Sequence, residues 1–328
     1  MHNRDRESEK LGGIVDIELP TISVVVPFKR SERAVLDCLQ SIFDMRYPME
    51  KLEVIVVDDS QDDATANLIR RQFPIARILR NCKPLGCDGS KQAGIDAANG
   101  DLVALTDADC TVPPGWAQSI AKNLTNGTEV VTGPVSHPKT FLRELIGIAD
   151  FQDFQSDNYQ WVANFPGCNV GMQRDVVRKT GYILFPDMWF GSDRLASWRM
   201  HSGGFRIRYD PAVTVRHFPD VSFSHLLERR MRYGRKALKL RRLDRTLPGA
   251  VITRFGLLAA PAYIAFKTLK DVCRLIEMTW RRQVSPWHVP ALLPMMLVFR
   301  ILDAVGVVTA WRLQGTATSI KNKKGRLI

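Results

Sequence analysis

The sequence predicts an α/β fold, a mixed, mostly parallel sheet with helices on both faces, from three observations. Over residues 22–109, short β-branched runs alternate with stretches of helical spacing, the βαβ rhythm of a parallel sheet. The first run, ISVVVPF, is continuously apolar, as a strand covered on both faces requires. The chain has 328 residues, 45% of them hydrophobic and 24% charged, which is enough for one large domain with an appendage and is not a disordered composition.

The elements follow in order. Ile22–Phe28 is the first strand. Ser31 is placed to cap a helix whose buried face is Val35, Leu36, Leu39, Ile42 and Phe43. LEVIVV, residues 52–57, is the second strand and ends in Asp58-Asp59-Ser60. Asp62 or Asp63 is a candidate cap for a helix carrying Leu68, Ile69 and Phe73. Residues 76–79 form a short third strand. Residues 90–98 form a helix closed by Gly100 at its C′ position, and residues 102–105 form the fourth strand. Beyond residue 110 the pattern loosens. Residues 130–133 read as a strand, FPGCNVG at 165–171 as a loop, and 205–215 as strands around a turn at Asp210-Pro211. A helix containing Trp198 and Arg199 follows Asp193.

The formal net charge is +12, and the excess is concentrated. Arg229–Arg245 holds nine Lys and Arg against one acid, Asp244. Such a block meets phosphate, in nucleic acid or in anionic lipid. It lies beside apolar stretches rather than interleaved aromatics, so an anionic membrane surface is the expected partner and nucleic acid is not. The six cysteines (Cys38, Cys82, Cys87, Cys110, Cys168 and Cys273) show no CxxC spacing and read as reduced thiols. Met1–Lys10 is polar, without the apolar core of a secretory signal, and residues 1–19 read as a flexible tail.

Residues 289–311 are long enough to span a bilayer but include Arg300 and Asp303, which can pair on a helix. Each charge costs roughly 2.5–3.5 kcal/mol at the midplane. The other apolar stretch, Phe255–Phe266, is too short to span unaided. A two-span hairpin would place Lys267, Lys270, Arg274, Arg281 and Arg282 outside, against the positive-inside tendency. Peripheral or monotopic attachment to the cytoplasmic face of the cell membrane keeps these groups, and Lys321, Lys323, Lys324 and Arg326, on an anionic surface. One or two spans within 249–311, and a tail packed on its own domain, are the alternatives.

In a parallel sheet, ligands bind beyond the carboxyl ends of the strands. Asp58-Asp59 and the Asp107-Ala108-Asp109 of LTDADC both sit at such ends and would face one crevice. Paired carboxylates suit Mg²⁺ or Mn²⁺, which take oxygen ligands and share them with phosphate. A cation held beside a diphosphate assists its departure. The plain alternative for both clusters is an acidic loop or a helix cap. Lys91, after the Gly86 and Gly89 loop, is either a phosphate contact or a surface lysine. Asp193 is a candidate general base, with capping by Ser192 or Asp193 as the bland reading. His217 ends a β-branched run and is either a third metal ligand or a structural histidine.

Six stretches occur in order: ISVVVPFKR, EVIVVDDSQDD, NCKPLGCDGSKQAGIDAANGD, LTDADC, FPGCNVGMQRDVVRKTGY, and FGSDRLASWR followed by VRH. Over about residues 20–235 the set resembles the inverting family 2 glycosyltransferases of GT-A fold, in particular bacterial membrane-associated members. The resemblance implies that Pro27 and Phe28 start the donor pocket and that Asp59, with Asp58 beside it, meets the nucleobase. It puts Lys91 near the donor, and Asp107 and Asp109 on the ribose and the metal-diphosphate, with Asp109 the more directly metal-dependent. Gly167, Cys168 and Asn169 would line the sugar and acceptor site, Asp193 would be the catalytic base, and His217 a late metal ligand. The implied reaction is a single inverting displacement. It moves a sugar from a nucleotide-sugar donor, commonly a UDP-sugar, to a hydroxyl of a glycan or lipid-linked acceptor, with Mg²⁺ or Mn²⁺. Two departures stand out. The family's usual Glu-Asp is Ser192-Asp193 here, which leaves a non-catalytic nucleotide-sugar or glycan-binding member as the alternative. RRMRY at 229–233 lacks the Gln and Trp of a processive Gln-x-x-Arg-Trp signature, which favours addition of one sugar per encounter. The expected division is a GT-A domain over 20–225 and a basic, apolar helical membrane-associating region over 226–328.

Overall fold

A computed structural model of the chain describes residues 18–29, 32–60, 62–180, 191–220, 222–247 and 260–315. Ser31, most of the expected tail, the start of the Phe255–Phe266 stretch and Lys321–Arg326 lie outside those residues.

The first half alternates as expected: β1 (Ile22–Phe28), α1 (Glu32–Phe43), β2 (Leu52–Asp58), α2 (Ala64–Gln72), β3 (Arg77–Arg80), α3 (Gly86–Ala97) and β4 (Leu102–Thr106). β1 is buried at every position and pairs in parallel with β2 on one side and β4 on the other. Its unbroken apolar run follows from that central place, because both faces are covered by helices. α1 turns Val35, Cys38, Leu39 and Ile42 inward. α3 opens at Gly86 rather than at Ser90, because Asp59 caps it: the Asp59 carboxylate accepts from the amides of Leu85 (2.7 Å) and Gly86 (3.0 Å). A carboxylate there satisfies donors that a helix start otherwise leaves unpaired. Gly100 is not the C′ residue of α3, since extended Ala98 closes that helix. Gly100 is needed for a close approach to β1, where a Cβ would stand 2.7 Å from the Ser23 amide nitrogen.

The second half runs β5 (Cys110–Thr111), α4 (Trp116–Thr125), β6 (Val130–Thr132), β7 (Val135–Ser136), α5 (Phe141–Phe151), β8 (Gln160–Val162), β9 (Asn169–Gln173), α6 (Arg174–Thr180), α7 (Asp193–Ser202), β10 (Ile207–Tyr209) and β11 (Val215–His217). The main sheet has the order β3-β2-β1-β4-β9-β6-β10-β8. β9 runs antiparallel to both β4 and β6, so the sheet is mixed. This corrects the loop expected across 165–171: its second part is a central strand. Gly171 misleads in sequence, but α4 packs so close that a Cβ there would lie 2.4 Å from Ile120 Cγ2. Residues 205–215 do hold strands around a turn at Asp210-Pro211, but the two strands do not pair with each other. β10 joins the main sheet, while β11 forms a separate three-stranded sheet in the order β5-β11-β7.

Three long helices follow: α8 (Phe223–Leu243), α9 (Ala260–Trp280) and α10 (Val289–Gly315). Pro286–Trp311, with a mean hydropathy of 2.0, is long and apolar enough to cross a membrane by length and composition. α10 is nevertheless docked on the rest of the chain. It crosses α8 at two glycines: a Cβ on Gly234 would stand 1.9 Å from the Asp303 carbonyl oxygen, and one on Gly306 would stand 2.1 Å from that of Met231. Arg300 and Asp303 face inward. Arg300 donates to Asp303 (2.7 Å) and to Asp271 of α9 (2.5 Å). Arg230 of α8 donates to Asp303 (3.0 and 2.9 Å) and to Asp150 of α5 (2.5 Å). The outward face of α10 is apolar, with Leu293, Leu297, Ile301 and Val305 exposed, and α9 likewise exposes Phe266, Leu269, Ile276 and Trp280.

The basic block of α8 is divided: Arg232, Arg235, Lys239 and Arg242 stay exposed, while three of its cations turn inward. Arg229 and Arg230 pair with Asp150, and Lys236 pairs with Asp88.

Candidate active site

The carboxyl ends of β1, β2 and β4 lie side by side, and the candidate residues gather beyond them. Asp107 and Asp109 follow β4 and face different partners. Asp107 Oδ1 is 2.7 Å from Lys91 Nζ on α3. Lys91 is buried, which works against its charge, but Asp107 facing it outweighs that and holds the ammonium well above the usual lysine range. Asp109 Oδ2 is 3.2 Å from His217 Nε2. Burial disfavours the Asp109 carboxylate, yet His217 and Arg229 together hold its pKa below the ordinary range.

The small sheet makes that second pairing. β11 runs antiparallel to β5 with His217 opposite Cys110, and the Phe218 amide donates to the Asp109 carbonyl at 2.7 Å. β7, parallel to β11, delivers His137 to the same place, with its Nε2 3.1 Å from His217 Nδ1. Burial and the neighbouring His217 push the His137 pKa down to about 3, so this imidazole is neutral.

Asp109, Cys110 and His217 offer ligand atoms all within 4.8 Å of one another. A carboxylate oxygen and an imidazole nitrogen suit Mg²⁺ or Mn²⁺. Burial pushes the Cys110 thiol up, so it adds no soft thiolate to the set. The donor set fits a hard divalent ion. His137 supplies the neighbour that orients a ligating imidazole through its other ring nitrogen.

Asp193 begins α7 with Ser192 at its N-cap position, and Ser192 makes no side-chain cap bond. Asp193 Oδ1 accepts from the Arg194 amide (2.8 Å), and Oδ2 accepts from the Gly167 amide (3.4 Å). Burial, and then the charge of Asp88, raise the Asp193 pKa above the ordinary aspartate value. Asp88 is itself buried. It accepts from the Ser192 amide at 3.0 Å and from Lys236 Nζ of α8 at 3.5 Å. Where Glu-Asp is expected, this chain thus has Ser192-Asp193 with a second carboxylate supplied from α3.

The remaining expected donor residues divide. Pro27 and Phe28 end β1, are buried, and lie beside Val57 and Asp58 in register. Asp58 is fully buried and accepts from Ser60 (amide 2.8 Å, hydroxyl 2.6 Å) and from Arg80 (3.0 and 2.7 Å), so it pins the β2 and β3 ends together. Asp59 has both oxygens engaged, by the start of α3 and by Asn81 Nδ2 (2.8 Å). Asn169 departs from the expected pocket lining. It is fully buried, accepts from Trp116 Nε1 (3.0 Å), and donates to the carbonyls of Pro134 (3.1 Å) and Val213 (2.7 Å), so its amide is spent on packing β9. Gly167 stays at the site through its amide on Asp193.

Residues 23–181 match the model of the family described as Glycosyl transferase family 2. These residues are a family 2 glycosyltransferase domain. The chain is similar to the probable glycosyltransferase YdaM of Bacillus subtilis, 27% identical over 212 residues, covering 60% of this chain and 50% of YdaM. It is also similar to the glycosyltransferase AglE of Haloferax volcanii, 27% identical over 237 residues, covering 69% of this chain and 76% of AglE. The chain therefore spans half the length of the first relative and about three quarters of the second. Among solved structures, the mannosyltransferase PcManGT of Pyrobaculum calidifontis, in complex with GDP-Man and Mn²⁺, superposes with a TM-score of 0.60 at 19% identity, covering 89% of this chain and 88% of that one. That likeness establishes the GT-A architecture.

His137, Asp88 and Lys236 escape a reading of the sequence alone. Each belongs to the site through a contact 80 residues or more away along the chain.

Proposed function

We propose that the chain is an inverting, metal-dependent glycosyltransferase that moves a sugar from a nucleotide-sugar donor to a hydroxyl of a glycan or lipid-linked acceptor. One observation carries the reading. Asp193, its pKa raised by burial and by Asp88, feels the charge of Lys91, which pairs with Asp107 beyond the end of β4, where Asp109 in turn meets His217.

Asp193 accepts the proton of the acceptor hydroxyl as that oxygen attacks the anomeric carbon. The bond from carbon to the diphosphate oxygen breaks on the opposite side, and configuration inverts. A raised pKa moves this base towards its operating pH. Lys91, held charged by Asp107, is placed to meet the phosphates. Asp107 and Asp59 are on the nucleotide side, and Asp109 and His217 would hold Mg²⁺ or Mn²⁺. When bound, the cation would supply charge stabilisation to the departing diphosphate. A UDP-sugar is the favoured donor.

The exposed apolar faces of α9 and α10, with Arg281 and Arg282 at their junction, support peripheral or monotopic attachment to an anionic cytoplasmic membrane surface. In this reading residues 20–225 carry the chemistry and 226–328 the attachment.

The test is a panel of UDP- and GDP-sugars with Mn²⁺, run on the full chain and on Asp193→Asn. Loss of a general base lowers transfer by about 10²–10⁴-fold, while donor binding persists. Full transfer by Asp193→Asn would remove the assignment of the base. Absence of donor binding across the panel would favour a glycan-binding protein instead.

A further inference from the structure

A recess of about 350 Å³ lies on the outer flank of the main sheet, where β9 and β6 separate it from β4 and the acids beyond its end. α4 packs on β6 and β9, and β10 and the edge strand β8 carry the sheet on past it. The uncovered face of those two strands is the floor of the recess, and Lys122, Asn123 and Asn126 at the end of α4 form its side wall. β8 and β10 are antiparallel with Trp161 opposite Arg208. The two-residue alternation of strands puts Tyr159 and Arg206 on the same face as that pair. Rings and guanidinium groups interleave there. Arg206 Cζ is 4.2 Å from the Trp161 ring centre, and Arg208 Cζ is 5.0 Å from it and 5.4 Å from that of Tyr159. Stacking fixes a guanidinium by its face and leaves its fork of N–H donors for a ligand. Both rings remain open to solvent, Tyr159 57% and Trp161 46% exposed.

One acid, Asp210, lines the recess with the three cations. It is buried and accepts from Asn123 Nδ2 (2.5 Å) and from the Ala212 amide (2.8 Å), and its charge also acts on the Tyr159 phenol. Among the described residues, no carboxylate forms an ion pair with Lys122, Arg206 or Arg208. The balance of the wall is positive, and two of its cations are presented as planar forks, which match an oxyanion. The amide of Asn126 and the phenol of Tyr159 beside them suit hydroxyl groups. The volume falls in the range of small-molecule sites, roughly 300–1,000 Å³. A nucleic-acid strand fits less well. It needs bare ring faces for its bases and cations that track a backbone over several nucleotides. Here guanidinium groups already stand against both rings.

We propose that this recess is a second, non-catalytic site, which holds a sugar bearing an oxyanion, either a carboxylate or a phosphate. The oxyanion accepts from the free edges of Arg206 and Arg208, with Lys122 at the rim, and the sugar hydroxyls meet Asn126 and Tyr159. None of these residues lines the cleft beside Asp193, so the site is independent of the transfer chemistry.

The experiment titrates tetragalacturonate and glucose 6-phosphate into the full chain by calorimetry. Maltotetraose, inorganic phosphate and a thymidine tetranucleotide are separate titrants, and nucleotide-sugar binding with Mn²⁺ is measured in parallel. Wild type is expected to bind at least one of the two acidic sugars about tenfold more tightly than maltotetraose or inorganic phosphate, and the better of the two separates carboxylate from phosphate. The double variant Arg206→Gln/Arg208→Gln is expected to lose that affinity by about tenfold or more, with donor binding as in wild type. Arg206→Lys keeps the charge without the planar fork and should fall between them, so the test stands even where the double variant does not fold. Binding of neither acidic sugar by wild type overturns the proposal. Wild-type affinity in the double variant or in Arg206→Lys does so as well. Equal binding of maltotetraose removes the oxyanion, equal binding of inorganic phosphate removes the sugar, and tighter binding of the tetranucleotide makes this a nucleic-acid site; each overturns the proposal.

Discussion

Replacing Asp303 by alanine measures how firmly α10 is held on the domain. Asp303 is 5% exposed and accepts from Arg230 Nε (3.0 Å), Arg230 Nη2 (2.9 Å) and Arg300 Nη1 (2.7 Å). Removing one partner of a buried ion pair costs about 3–5 kcal/mol, because it leaves charge without compensation in a poorly solvated place. Here the loss is partial. Arg230 keeps Asp150, and Arg300 keeps Asp271. The low end applies, about 3 kcal/mol. At roughly 2 °C per kcal/mol for a chain of this size, Tm should fall by about 6 °C. The assay is thermal unfolding of the full chain, followed by far-UV circular dichroism. Asp303→Asn, which keeps an acceptor but not the charge, should fall between alanine and wild type. A Tm for Asp303→Ala within about 1 °C of wild type would refute the reasoning, since the two arginines would then not depend on this carboxylate.

Three further outcomes are expected. Gly234→Ala should destabilise by about 3 kcal/mol, the upper part of the overpacking range, because the added methyl meets the Asp303 carbonyl and not a movable side chain; urea denaturation checks it. Asp193 is held above the ordinary aspartate range by burial and by Asp88, so transfer should fail as pH drops through that raised value. Asp88→Asn removes the second cause, and the acid limb of kcat/KM should move to lower pH; an unmoved limb contradicts the assignment. Asp109→Ala should weaken the Mn²⁺ dependence of donor binding more than Asp107→Ala, whose main effect should be on the nucleotide through Lys91. Calorimetric donor titrations with and without Mn²⁺ decide between them.

The strands that a sequence declares are those with two covered faces. β1, β2 and β4 sit mid-sheet, so nearly all their positions are apolar and their ends can be read to within a residue. β9 is as central but hidden, because Asn169 is there to hold Trp116 and two carbonyls, and Gly171 to admit α4. β5 and β7 are two residues each, too short to leave a period, yet they and β11 bring Asp109, His137 and His217 together. Asp107, Asp109 and Asp193 were visible because acids at strand and helix ends are conspicuous. Asp88 was not, since it sits in a helix and gains its place only from Ser192 and Lys236. The inward pairing of Arg230 and Lys236 in the basic run of α8 was hidden for the same reason: their counter-charges, Asp150 and Asp88, lie 80 and 148 residues away.

The bond between Lys236 and Asp88 bears on how such a chain can be recombined. Lys236 belongs to the helical region that sequence assigns to attachment, while the charge of Asp88 acts on Asp193, the proposed base. Arg229, on the same helix, lowers the pKa of Asp109. A graft that exchanged everything after residue 225 would strip one cation from beside Asp88 and one from beside Asp109. The two parts are therefore expected to be inherited together. A transplanted catalytic half would need an incoming helix carrying basic residues in the same two places, whatever membrane it was meant to serve.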